Sequence, residues 1–189
     1  DGARYLTIIS GLIGTPHITW DYLGMAAIVI PAFVVIFASR GRWKLKSSIL
    51  IWTLMMLIPA GGYMMNGFTY VSGRFLYLVT FVYAYCVVEV FPEFMTMKRL
   101  PKVLMLVVII GYTTAVVFEK ERDLWYAWFG AVTLILTVLA LFLLASRWAA
   151  GWRWQLKISL VLGMIAIQLM GNGWLLFDSS AQNYASQFL

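Results

Sequence analysis

Asn66, Gly67, Tyr70 and Arg74 stand in the stretch Asn66-Gly67-Phe68-Thr69-Tyr70-Val71-Ser72-Gly73-Arg74, a polar break between two long apolar runs. A guanidinium set directly before an apolar run carries a permanent charge and a planar fork of donors that suits phosphate oxygens. Gly67 and Gly73 would let the backbone approach a headgroup closely. Asn66 can hydrogen-bond a phosphate or a sugar hydroxyl. The competing reading is a snorkelling interfacial arginine beside a hairpin turn.

Other residues have the types and spacing for chemistry. His17 and Asp21 stand four apart and share a face if a helix begins early, which would start a metal site or an acid–base pair. Pro16 equally marks a helix start at which Asp21 is only interfacial. Glu89 is an acid inside an apolar run, where carboxylates are costly and tend to be functional. It lies about a turn before Pro92, close enough to the interface to pair with Lys98 or Arg99. Gln168 and Asn172 are again four apart, flanked by Gly163, Gly171 and Gly173. Amides and small residues in that pattern usually mark helix–helix contact, and the sharper alternative is a polar cavity wall. Cys86 is the only cysteine, so there is no internal disulfide. No P-loop, GxGxxG, GxSxG or HExxH occurs, which argues against a self-contained nucleotide-binding or hydrolase site.

The elements that hold these residues follow from composition. Of 189 residues, 62% are hydrophobic and 12% charged, and the mean hydropathy is +0.86. A soluble domain is nearer a quarter charged, so the solvent of this chain is mostly lipid. The expected architecture is an all-α integral membrane bundle of about six transmembrane helices. Each crosses a core about 30 Å thick with roughly 20 apolar residues. Residues 1–19 are too interrupted to span and read as an outer loop or interfacial segment. The spans are expected near 21–39 (bent at Pro31), 47–65 (weakened at Pro59 and Gly61-Gly62), 75–91 (stopped by Pro92), 101–118, 124–146 and 154–177. A polar outer tail, 178–189, follows. Seven tryptophans (20, 43, 125, 128, 148, 152 and 154) fall near these span ends, where interfacial belts place them.

Orientation follows from the basic residues. The loops after the first, third and fifth spans hold ten Lys and Arg, and the other side holds only Arg4, Arg74, Lys120 and Arg122. Short loops rich in Lys and Arg face the cytoplasm, which puts both ends and the Asn66–Arg74 loop outside. The net charge of +6 therefore points to anionic lipid and not to nucleic acid. The chain begins with Asp and shows no leader, so a piece of a longer polypeptide is expected.

The run Pro59-Ala60-Gly61-Gly62-Tyr63-Met64-Met65-Asn66-Gly67-Phe68-Thr69-Tyr70-Val71-Ser72-Gly73-Arg74-Phe75 resembles the signature of the bacterial YfhO family. There an apolar helix with a proline leads into an Asn-Gly-Phe-Ser/Thr-Tyr loop, followed by an arginine and an aromatic. Trp20-Asp21-Tyr22-Leu23-Gly24 is similar to that family's Tyr-x-Gly approach to the preceding span. Phe75 stands where Trp is expected, a mild departure. The resemblance covers about thirty residues; elsewhere only hydropathy agrees.

The resemblance implies a polytopic glycosyltransferase of the GT-C type in the bacterial cytoplasmic membrane. Such an enzyme moves a sugar from a polyprenyl-phosphate donor, on the outer face, to a cell-envelope acceptor such as lipoteichoic acid. It also implies that Asn66 and Arg74 lie near the lipid phosphate or the sugar, with Tyr70 as a stacking platform. A divalent cation is the one cofactor it admits. The acidic catalytic residue of GT-C enzymes lies in the first outer loop. Nothing in this chain matches that loop, so no catalytic base is assigned. Two other classes fit the same bundle. A transporter or flippase would line a route with Glu89, Gln168 and Asn172. A non-catalytic assembly subunit would bury the Asn66–Arg74 loop against another membrane subunit.

Overall fold

The computed structural model describes residue 13 and residues 25–65, 68, 76–118 and 124–188. Among these residues there are seven α-helices and no strand. Helices satisfy every backbone polar group internally, as lipid requires. They are α1 (Val29–Ala38), α2 (Trp43–Leu57), α3 (Pro59–Met65), α4 (Leu76–Phe94), α5 (Arg99–Phe118), α6 (Leu124–Leu144) and α7 (Trp154–Phe188).

The innermost helix is α1. Its sequence, VIPAFVVIFA, is apolar on all sides, the pattern of a helix surrounded by others. Ala32 and Ile36 are fully buried, with Val29, Val34 and Val35 close behind, and α2, α4 and α5 all pack on it. Phe33 meets Tyr83 of α4 edge-on, with centroids 4.7 Å apart and planes at 83°. The Tyr83 hydroxyl shares a 2.7 Å hydrogen bond with Thr53 of α2. One ring thereby fixes three helices. Pro31 lies in the first turn of α1, where its missing N–H has no intrahelical role; the expected mid-span bend has no cause there. The C-terminal end of α1 is closed by Lys46, whose Nζ donates to the Ser39 carbonyl at 2.7 Å. A cation at that end also suits the helix dipole.

The expected second span is two helices. Ile58 is extended (φ −94°, ψ 121°), the conformation that a following proline imposes, and Pro59 begins α3. At this corner a side chain on Gly61 would run into the Met55 carbonyl oxygen. Conversely, α4 does not stop before Pro92 but continues to Phe94. Pro92 forfeits one backbone bond near the helix end, while Val90 and Phe94 are fully buried on either side of it and hold the last turn in place.

Beyond this centre, α5 packs on α6 and α6 on α7. Thr133 and Thr137 of α6 return their hydroxyls to carbonyls of their own helix, Phe129 and Thr133 respectively, at 2.8 and 2.7 Å. The last helix, α7, is 35 residues long and runs through the region where a polar tail is expected from 178. Among the described residues, three stretches are long and apolar enough to cross a membrane: Tyr77–Phe94, Arg99–Phe118 and Trp154–Trp174. Val29–Ala38 is a shorter apolar helix, and Trp128–Leu144 is an apolar stretch of α6. Phe81, Ile110, Ile167, Met170 and Trp174 are each about two-thirds exposed or more, an arrangement stable only where the surroundings are apolar.

The three basic turns lie at one end of the bundle. Arg42, after α1, forms an ion pair with Glu93 at the end of α4. Trp154, at the start of α7, meets Phe91 edge-on at 6.0 Å.

Candidate functional site

An apolar cleft of about 530 Å³ runs between the start of α1, α4 and α7. Its walls are built by helical spacing. Thr80, Ala84, Val87, Val88 and Phe91 share one face of α4, and Ile158, Leu162, Ile165 and Leu169 share one face of α7. Met25, Ala26, Ile28 and Val29 form the third side. Ala26 and Ala84 are the small residues that leave space between the larger ones. From Thr80 to Pro92 the cleft follows α4 for about 18 Å at 1.5 Å per residue, more than half of a hydrocarbon core about 30 Å thick. The Phe91–Trp154 ring contact lies at the end nearest the basic turns. Thr80 is the one hydroxyl among the lining residues, so the cleft suits a hydrocarbon chain and not a polar solute.

Gln168 and Asn172 hold one rim of this cleft. Both are about 4% exposed and, one turn apart, they face the same way. A backbone N–H can only donate, so the 2.8 Å bond from Ala27 fixes the Gln168 oxygen. The amide nitrogen then donates to Thr133 of α6 at 3.2 Å. Asn172 Nδ2 donates to the Ile13 carbonyl at 2.9 Å. The two amides thus fasten the chain leading into α1 against α7, and Ala27 directly follows the lining residues Met25 and Ala26. Neither amide lines the cleft itself. Gly171, between them, lets the Phe129 ring approach so closely that an added Cβ would lie 2.6 Å from its tip.

Glu89 is exposed on α4 and takes a hydrogen bond from Tyr85, one turn earlier. It too is absent from the cleft lining. The acid that pairs with a basic turn is Glu93, and its partner is Arg42, not Lys98 or Arg99. This pair is separated by 51 positions, and nothing local in the sequence announces it. The cleft walls were more legible, as the i, i+4, i+7 spacing on α4 and α7, but that spacing does not say which face closes on a neighbour and which borders a space.

Asn66, Gly67, Tyr70 and Arg74, like His17 and Asp21, lie outside the described residues. Among the described residues no group of three His, Cys, Asp or Glu is placed to hold a metal ion.

A helical bundle with an apolar exterior and an apolar cleft at membrane depth defines an all-α membrane protein. The sequence profile described as bacterial membrane protein YfhO matches residues 7–189, nearly the whole chain. The chain belongs to the YfhO family. Comparison with curated proteins and with solved structures gave no significant match.

Proposed function

We propose that this YfhO-family chain is part of a membrane glycosyltransferase of the GT-C type, which transfers a sugar from a polyprenyl-phosphate donor to a cell-envelope acceptor on the outer face. The observation that carries the reading is the cleft between α1, α4 and α7. Its apolar lining and its length along α4 suit an isoprenoid tail, whose burial is favoured at roughly 25 cal/mol per Å² wherever it leaves water. The α7 amides support the same reading. Their hydrogen bonds to backbone groups keep the rim in place, whereas a transport route would call for them to face an open passage.

In this mechanism the acceptor hydroxyl attacks the anomeric carbon, and the polyprenyl phosphate leaves. A fixed guanidinium is most useful where the leaving phosphate gains charge, the role proposed for Arg74. Asn66, Gly67 and Tyr70 complete the same loop. The catalytic base remains unassigned, and His17 with Asp21 is the pair proposed for a divalent cation or for acid–base work.

The test is sugar transfer by the full-length protein from polyprenyl-phosphate donors. Ala84→Trp fills the cleft from an exposed position on α4, and it is expected to raise KM for a long-tailed donor about tenfold or more while leaving a short-tailed donor nearly unaffected. Arg74→Ala is expected to lower turnover by about a hundredfold, with Asn66→Ala milder. Unchanged kinetics in all three variants would refute the reading.

A further inference from the structure

At the basic end of the bundle a second cavity, of about 650 Å³, opens between the turn after α1 and the turn between α4 and α5. Arg40, Arg42 and Lys98 line it, and Glu93 is the one carboxylate among its lining residues. That carboxylate is already engaged by Arg42 through Nη2, which leaves a surplus of positive charge. The other terminal nitrogen of Arg42, Nη1, is buried and has no acceptor among the described residues. Arg42 also holds a left-handed backbone conformation (φ 57°, ψ 32°) and is the N-cap of α2, with no side-chain hydrogen bond capping that helix. The positive end of α2 therefore adds to the field of the three cations.

Ser39 and Thr96 add hydroxyls to the lining, and the remainder is apolar. Val35 and Ala38 come from α1, Met97 from the turn before α5, and Leu100 and Pro101 from the first turn of α5. Leu100, Val103, Val107 and Ile110 then continue from the cavity along α5 as an exposed apolar stripe, spaced as one helical face. A soluble anion would use the cations and leave this stripe idle. A lipid would use both.

We infer that this cavity is a specific site for the phosphate headgroup of an anionic phospholipid from the leaflet on the basic side, with its acyl chains along α5. Arg40 and Lys98 hold the phosphate from the rim, and the open Nη1 of Arg42 donates from within. The site shares no lining residue with the apolar cleft, and its assignment is independent of the proposed glycosyl transfer.

The experiment uses the full-length protein in non-ionic detergent, with bound lipid read by native mass spectrometry as dioleoyl-phosphatidylglycerol, dioleoyl-phosphatidylcholine or inorganic phosphate is added. One phosphatidylglycerol is expected to stay bound where phosphatidylcholine does not. Arg40→Gln/Lys98→Gln leaves the Arg42–Glu93 pair intact and is expected to weaken that binding about tenfold or more. Lys44→Gln/Arg147→Gln removes the same charge at two exposed positions outside the cavity and is expected to change it about twofold or less. Ala38→Trp, which fills the cavity without changing charge, is expected to match the first variant. Equal losses in the two charge variants, retention by Ala38→Trp, or inorganic phosphate competing as strongly as the lipid would each overturn the assignment.

Discussion

Replacing Gln168 with Met keeps the length and volume of the side chain while removing both of its hydrogen bonds. On the Thr133 side little is lost. That hydroxyl already reaches the Phe129 and Gly130 carbonyls at 2.8 and 3.0 Å, so it stays satisfied when the 3.2 Å contact disappears. The Ala27 side differs. Its N–H precedes α1, donates to the Gln168 Oε1 at 2.8 Å, and is left buried and unpaired in the variant. An orphaned buried donor costs about 1–3 kcal/mol, whereas interhelical bonds in membrane proteins average about 0.6 and reach about 1.7 kcal/mol. The expected loss is therefore about 1–2 kcal/mol, measured by SDS titration of the protein in mixed micelles. Thr133→Val, which removes only the weaker contact and the local back-bonds, is expected to cost less than about 0.6 kcal/mol. Because Ala27 follows two lining residues of the cleft, Gln168→Met is also expected to raise KM for a long-tailed donor in the transfer assay. Equal costs for the two variants, or no cost for Gln168→Met, would refute the claim that the amide's main work is on the α1 backbone.

Two further outcomes follow from the packing. Gly61→Ala places a Cβ against the Met55 carbonyl oxygen, a backbone atom that cannot swing away, and is expected to cost about 1–3 kcal/mol in the same titration; a neutral result would mean that the α2–α3 corner is not fixed by that approach. The Arg42–Glu93 pair is 29% and 39% exposed at its side chains, so solvent screens it, and the double variant Arg42→Gln/Glu93→Gln is expected to change stability by less than about 1 kcal/mol. Glu93→Gln alone is expected to be worse than the double variant, since it leaves the half-buried guanidinium without its carboxylate, and the ordering of the two midpoints checks this.

Much of the fold is written in local composition. Apolar runs of membrane length, ended by Arg40–Lys46, Lys98–Lys102 and Arg147–Lys157, give helices and turns without reference to anything distant, because lipid leaves the backbone no other choice. The Asn66–Arg74 motif likewise carried the family, since it is contiguous. Where the sequence misled, the reason is again local rules meeting tertiary ones. Pro92 reads as a stop, yet burial of Val90 and Phe94 carries α4 past it. Pro59 and the Gly61-Gly62 pair read as a weak helix end, yet the chain breaks at Ile58 and then forms a new short helix.

Hydropathy, charge and one contiguous motif sufficed to determine that this chain is helical, membrane-embedded and of the YfhO family, because each depends on residues adjacent along the chain or one helical turn apart. Only the tertiary structure decided that α1 is the centre, that Glu93 and not Glu89 meets a basic turn, and that Gln168 and Asn172 grip backbone from 141 and 159 positions away. Those contacts depend on which helix faces which, and in lipid nearly every apolar face is equally at ease until packing and a few polar pairs choose between them.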